Sequence, residues 1–174
     1  MPEWKSSLVD AVSLRLEAHP YWGHRLSQVA NPRRDSRTIH LAVFIEPFLQ
    51  FVLDGTKTVE SRFSMYRCAP YQAVEPGDAL LLKKSAGPIM AVAEVSKVWY
   101  YELDSKAWHT IKTRFGPLLR IEDPTFWQRK ASSCFATLMH LERVEQFRPV
   151  ACSKKDRRGW VVLDPSAPAE SLFP

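Results

Sequence analysis

A lysine, a carboxylate and an arginine fall close together in the run Gly55-Thr56-Lys57-Thr58-Val59-Glu60-Ser61-Arg62. Alternation along an extended chain puts Thr58, Glu60 and Arg62 on one strand face. Lys57, at the mouth of the preceding turn, projects into the same space. Such a trio can bind a phosphate, or hold a proton-transfer group in place. The blander alternative is an ion pair along the strand between Glu60 and Arg62, with Lys57 in water. A second basic group, Lys154, Lys155, Arg157 and Arg158, precedes Trp160 and is suited to neutralising phosphates. Tyr66, Tyr71, Trp99, Tyr100 and Trp160 are candidate stacking surfaces for an unpaired base, although each taken singly reads first as a core residue.

Composition narrows the classes. The 174 residues are 45% hydrophobic and 25% charged, which excludes a mainly disordered chain and fits one domain with an appendage. No apolar run is long enough for a membrane span, and the first residues lack a secretory pattern. Cys68, Cys134 and Cys152 are odd in number and far apart, and the five histidines are scattered. No metal site, no cofactor motif and no Cys–His pair is readable, and a reducing, cytoplasmic setting is expected. The net charge of +5 permits an anionic partner without requiring one. Its placement says more. Residues 41–100 balance, and the excess sits at Arg33, Arg34 and Arg37 and in the late cluster from Arg148 to Arg158.

These side chains need elements to position them. Trp4, Leu8, Ala11, Val12 and Leu16 recur at helical spacing, so an amphipathic helix is predicted over about 3–18, ended at His19-Pro20. Residues 31–37 read as an exposed basic linker. Ile39 to Ile45 predicts a largely buried strand, and Pro47 the first turn of a short helix bearing Phe48, Phe51 and Val52, stopped at Gly55. A strand over 58–63 follows. The turn Glu75-Pro76-Gly77-Asp78 leads into Ala79 to Leu82 and the Lys83-Lys84 pair, and Ser85 to Pro88 turns the chain into a strand over 89–95, making a hairpin. A helix is predicted over 104–115, capped by Asp104 or Ser105 and closed by Gly116-Pro117, with a short helical turn over 124–128. Strands over 135–147 and 160–163 and an irregular proline-rich tail complete the chain. The class is α+β: a small barrel with short helices at its rim and an N-terminal amphipathic helix.

The run Gly55-x-Lys57-x-x-Glu60-x-Arg62 after a short helix resembles the signature of the ASCH domain family, a branch of the PUA-like barrels. The similarity extends in family order through Glu75-Pro76-Gly77-Asp78, the hairpin ending at Glu94-Val95, and Lys154 to Leu163. It covers about 39–163, leaving 1–38 as a helical extension with a basic linker and 164–174 as a tail. The resemblance implies a β-barrel whose cleft, lined by Lys57, Glu60 and Arg62 with the 154–158 loop beside it, holds RNA or a nucleoside. Some relatives deacylate modified cytidine with a lysine, a threonine three positions later and an acid. Lys57 matches, but Glu60 stands where that hydroxyl nucleophile belongs, Thr58 is offset, and the acid's counterpart falls near Arg114 or Phe115, with Glu122 a loose substitute. Other relatives cleave single-stranded RNA, for which Lys57 and Glu60 would serve as acid and base.

The leading expectation is therefore a soluble, cytoplasmic RNA-binding protein taking single-stranded or structured RNA. A hydrolase using the same cleft, ribonuclease or nucleoside amidohydrolase, is the second reading. A protein-interaction module built on the N-terminal helix is the third.

Overall fold

The computed structural model describes residues 3–27, 37–154 and 156–163. Much of the expected 31–37 linker, Lys155 and the proline-rich tail lie outside the described residues. Among the described residues, six strands form one mixed sheet: β1 (Ile39–Phe44), β2 (Val59–Ser64), β3 (Ala79–Lys84), β4 (Ile89–Glu102), β5 (Phe135–Val150) and β6 (Trp160–Val162). Their spatial order is β2-β5-β4-β3-β1-β6. Only β1 and β3 run parallel; every other pairing is antiparallel. Three register shifts interrupt the long β4–β5 ladder. Each extra residue bends its strand and adds twist, and the sheet curls into a half-barrel. β2 and β6 remain as margins facing across a seam, so the barrel is not closed by its ladders.

The curl separates three apolar regions. Its interior is filled by Ala42, Phe44, Leu80, Leu82, Ala91, Val95 and Met139. Outside β2 and β5, Val59, Ala136 and Leu138 pack under Ile111, Phe115 and Leu119. On the remaining face, Leu41, Leu81 and Val92 meet α1 (Glu3–Leu16) and α2 (Trp22–Ser27). The expected amphipathic helix thus forms, and its Leu8, Val12 and Leu16 are buried. A second helix follows immediately, anchored by Trp22, whose indole donates to the Arg143 carbonyl at 3.1 Å. Lys5 ties α1 to β6 through the Val162 carbonyl at 2.7 Å. The apolar stripe that the sequence offers to a partner is occupied by the chain's own sheet.

Short helices sit at the rim. α3 (Phe48–Leu53) ends at Gly55, whose φ of +76° needs the left-handed region, which glycine enters without a Cβ penalty. α4 (Ser105–Thr110) is capped by Asp104, whose carboxylate accepts from the Ala107 amide at 2.7 Å. Gly116-Pro117 does not end this helical segment. The chain passes through a π-type turn over Ile111–Phe115 into α5 (Gly116–Leu119). Pro117 lies in the first turn of α5, where its missing N–H has no bond to make, and the stop is Arg120 at φ +54°. α6 (Thr125–Arg129) follows.

If α1 and α2 belong to the core, Trp22→Ala lowers unfolding free energy by about 3–5 kcal/mol, although Trp22 is remote from Lys57. Urea unfolding measures this, and a loss under about 1 kcal/mol, the scale of ordinary surface substitutions, would separate the helices from the core.

A charged cleft at the seam of the half-barrel

The seam between β2 and the β1–β6 margin opens into a cleft of about 360 Å³, within the size range of small-ligand sites. Arg62 bridges it. Its guanidinium donates to the Val43 carbonyl at 3.0 Å and the Gly159 carbonyl at 3.2 Å, reaching from β2 to the opposite margin. The same group lies over the rings of Phe44 and Trp160, 5.1 and 5.6 Å from their centroids.

Behind Arg62 stands a buried charge chain. Arg62 Nε is 3.0 Å from Glu60 Oε1, and Lys57 Nζ is 3.3 Å from Glu60 Oε2. Lys57 and Glu60 are only 4% and 6% exposed. The Lys57 ammonium also donates to the carbonyls of Val59 at 2.6 Å and Leu119 at 3.1 Å. An ammonium has three donors, and three acceptors surround it. Burial pushes the Lys57 amine below its ordinary value, the Glu60 charge opposes that fall, and Arg62 adds to it. Glu60 and Arg62 thus pair as the blander sequence alternative has it, whereas Lys57 is sheltered, not solvated.

One aromatic wall is set by a second buried network. The Trp160 indole donates to His40 Nδ1 at 3.2 Å, and His40 Nε2 lies 3.0 Å from Asp78 Oδ2. Because indole only donates, Nδ1 is the acceptor and Nε2 carries the proton directed at Asp78. Asp78 in turn accepts from the amides of Thr38 at 2.9 Å and Glu75 at 2.7 Å. The Glu75-Pro76-Gly77-Asp78 turn therefore does more than reverse the chain. Its last residue anchors the histidine that orients the tryptophan.

Lys57, Glu60 and Arg62 are brought together as the spacing implies. Thr58 is not: it is half-buried just before β2, gives its carbonyl to the Leu141 amide at 2.9 Å, and lies outside the cleft lining. Among the described residues of the 154–158 loop, Lys154, Asp156, Arg157 and Arg158 lead to the rim at Gly159 without lining the cleft. Within it, Lys154 donates to Asp156 Oδ1 at 2.7 Å, and Arg158 reaches the same oxygen through its amide at 2.8 Å and Nε at 3.3 Å. Desolvation opposes the charge on Asp156, but the bonds from Lys154 and Arg158 prevail and hold its carboxyl well below the usual carboxylate range. Arg157 is exposed. Of the aromatic candidates, Tyr71 and Trp160 line the cleft, Trp99 packs on Phe115, Tyr100 bonds the Val74 carbonyl, and Tyr66 is exposed. Phe44, Phe48, Phe126, Lys130 and Thr137 also line it. Sequence reasoning assigns them no role, because they come from separate elements and no spacing joins them.

No family model matches the sequence, and no curated protein matches it. Solved structures do match. The chain has the fold of ASCH domains, a PUA-like half-barrel. It is similar to the crystal structure of ASCH from Zymomonas mobilis, with a TM-score of 0.57 and 13% identity over 71% of this chain and 86% of that one. A tyrosine-to-phenylalanine point mutant of that Zymomonas mobilis protein gives a TM-score of 0.51 and 15% identity over 66% of this chain and 76% of that one. Among the described residues, no helix is long and apolar enough to cross a membrane.

Replacing the Lys57 amine by an apolar group leaves Glu60 Oε2 and the Val59 and Leu119 carbonyls without their donor. Lys57→Met should therefore cost about 3–5 kcal/mol of unfolding free energy. The unfolded chain holds this proton more tightly than the folded one, so Lys57 adds stability as pH rises through its lowered folded value toward 10.5. The stability gap between wild type and Lys57→Met should widen over that alkaline window, read by urea unfolding at stepped pH. A gap that is flat or shrinks with pH would contradict the lowering of the Lys57 value by burial.

Proposed function

We propose that this protein binds unpaired RNA, or a single nucleotide, in the seam cleft. The observation that carries this reading is the cleft's composition. Phe44, Phe48, Phe126, Tyr71 and Trp160 supply ring surfaces, while Arg62 and Lys130 supply cations beside them. Base stacking on aromatic rings is sequence-tolerant and favours single strands, and an adjacent cation neutralises the phosphate that accompanies each base. The likeness to ASCH-domain folds and the GxKxxExR pattern agree with this reading. Catalysis by Lys57 and Glu60 has less support. All three lysine donors face acceptors, and each Glu60 oxygen has a cationic partner.

A labelled single-stranded RNA titrated at several salt concentrations tests the proposal. Affinity should fall steeply with salt. Trp160→Ala should weaken binding by about 1–3 kcal/mol, and Lys130→Ala should lower the salt slope by about 0.7, the value of one single-strand phosphate contact. Asp156→Asn should strengthen binding and steepen the slope, because Lys154 and Arg158 are released from their internal anion. Unchanged affinity in all three variants would place any RNA elsewhere on the protein.

A further inference from the structure

Among the described residues, β2 stands at a margin of the sheet and pairs only with β5. The Thr58 carbonyl accepts from the Leu141 amide and the Ser64 carbonyl from the Cys134 amide, both at 2.9 Å. Main-chain groups of an antiparallel strand point alternately toward and away from the partner. Thr58, Glu60, Arg62 and Ser64 therefore spend theirs on β5, and Val59, Ser61 and Phe63 turn theirs to the open side. Lys57 confirms the parity, since it takes the Val59 carbonyl from that open side. The N–H and C=O of Ser61 and Phe63 remain, without a hydrogen-bond partner among the described residues. Both residues line the cleft. So does Thr137, directly across the ladder from Arg62 and only 1% exposed.

Polar groups in a recess are costly to cover unless their occupant pairs with them. An occupant that lays only apolar surface or phosphate against this edge leaves donors and acceptors unmatched. The Watson–Crick edge of every nucleobase sets a donor beside an acceptor, in the same alternation that the Ser61–Phe63 edge presents. We propose that the unpaired main-chain edge of β2 reads the base of the ligand through its Watson–Crick edge. The proposal rests on the binding reading above and sharpens its ligand class. The base must have that edge free, as in a single strand or a free nucleotide, and a duplex is refused. An extended peptide is the other partner that open edges take, but a strand needs a longer run than two free residues, and Arg62 already crosses the seam.

The test titrates the protein with the four ribonucleoside 5′-monophosphates and with neutral forms methylated on that edge: 3-methyluridine, 1-methylguanosine, N6,N6-dimethyladenosine and N4,N4-dimethylcytidine monophosphates. The amide resonances of Ser61 and Phe63 provide the readout. For whichever nucleotide binds best, edge methylation should weaken binding at least about tenfold and abolish the Ser61 and Phe63 shifts. Ser61→Pro removes only an N–H turned away from β5, a position where an edge strand tolerates proline, and should weaken binding about tenfold. Ser61→Ala keeps that N–H and should stay within about twofold of wild type. The methylated series needs no variant to fold. Equal binding of parent and methylated nucleotides overturns edge reading and leaves nucleotide binding in the cleft standing. No binding of any nucleotide overturns both. Shifts at Ser61 and Phe63 with an alternating Val–Thr hexapeptide, and with no nucleotide, overturn edge reading in favour of strand addition.

Discussion

A curled sheet whose margins do not meet must hold them at a fixed separation, and here one side chain spans the gap. Arg62 donates to carbonyls on the far margin, at Val43 and Gly159. A guanidinium suits this role because its planar fork presents several donors in fixed directions. Glu60 fixes the near end of Arg62, and Lys57 fixes Glu60 while reaching α5 through Leu119. Backbone pairing across the seam would have closed the barrel and removed the cleft. Bridging by a side chain keeps the margins in register while leaving space for a ligand, and part of the β2 edge stays open within that space.

Two buried polar networks hold the two walls of the cleft. Lys57, Glu60 and Arg62 hold the β2 wall, and Asp78, His40 and Trp160 hold the β1–β6 wall. Buried hydrogen-bonded networks fix geometry because leaving any member unpaired is costly. Both networks end on groups that face the cleft: a guanidinium in one case, an indole in the other. The surface loop before Trp160 follows a different logic. Lys154 and Arg158 gather around Asp156, which offsets part of the charge that the sequence places there.

Much of the architecture was legible because periodicity reports burial directly. The spacing of Leu8, Val12 and Leu16 defined α1, the apolar runs defined β1 and β3, and Gly55 and Gly77 marked turns where φ is positive. The sequence marks β4 only to Val95, because Ser96 to Glu102 shows no apolar–polar alternation and gains its burial from β5. α2 was missed because its anchor, Trp22, is held by a carbonyl from β5. The trio of Lys57, Glu60 and Arg62 was legible from local alternation. The burial of Lys57 was not, since its shelter includes a carbonyl 62 residues further on. Phe44, Phe48, Phe126, Lys130 and Thr137 become one surface only after the sheet curls, so no local pattern could have assembled them.

The central claim is that Glu60 and Arg62 act as one desolvated unit that sets the seam. A double-mutant cycle of Glu60→Gln and Arg62→Met, read by equilibrium unfolding, addresses it most directly. Contacting members of one charge network couple by about 0.5–3 kcal/mol, and the burial of Glu60 beside a largely covered Arg62 places the expected value at about 1 kcal/mol or more. Additivity within about 0.3 kcal/mol, the behaviour of independent sites, would contradict the account.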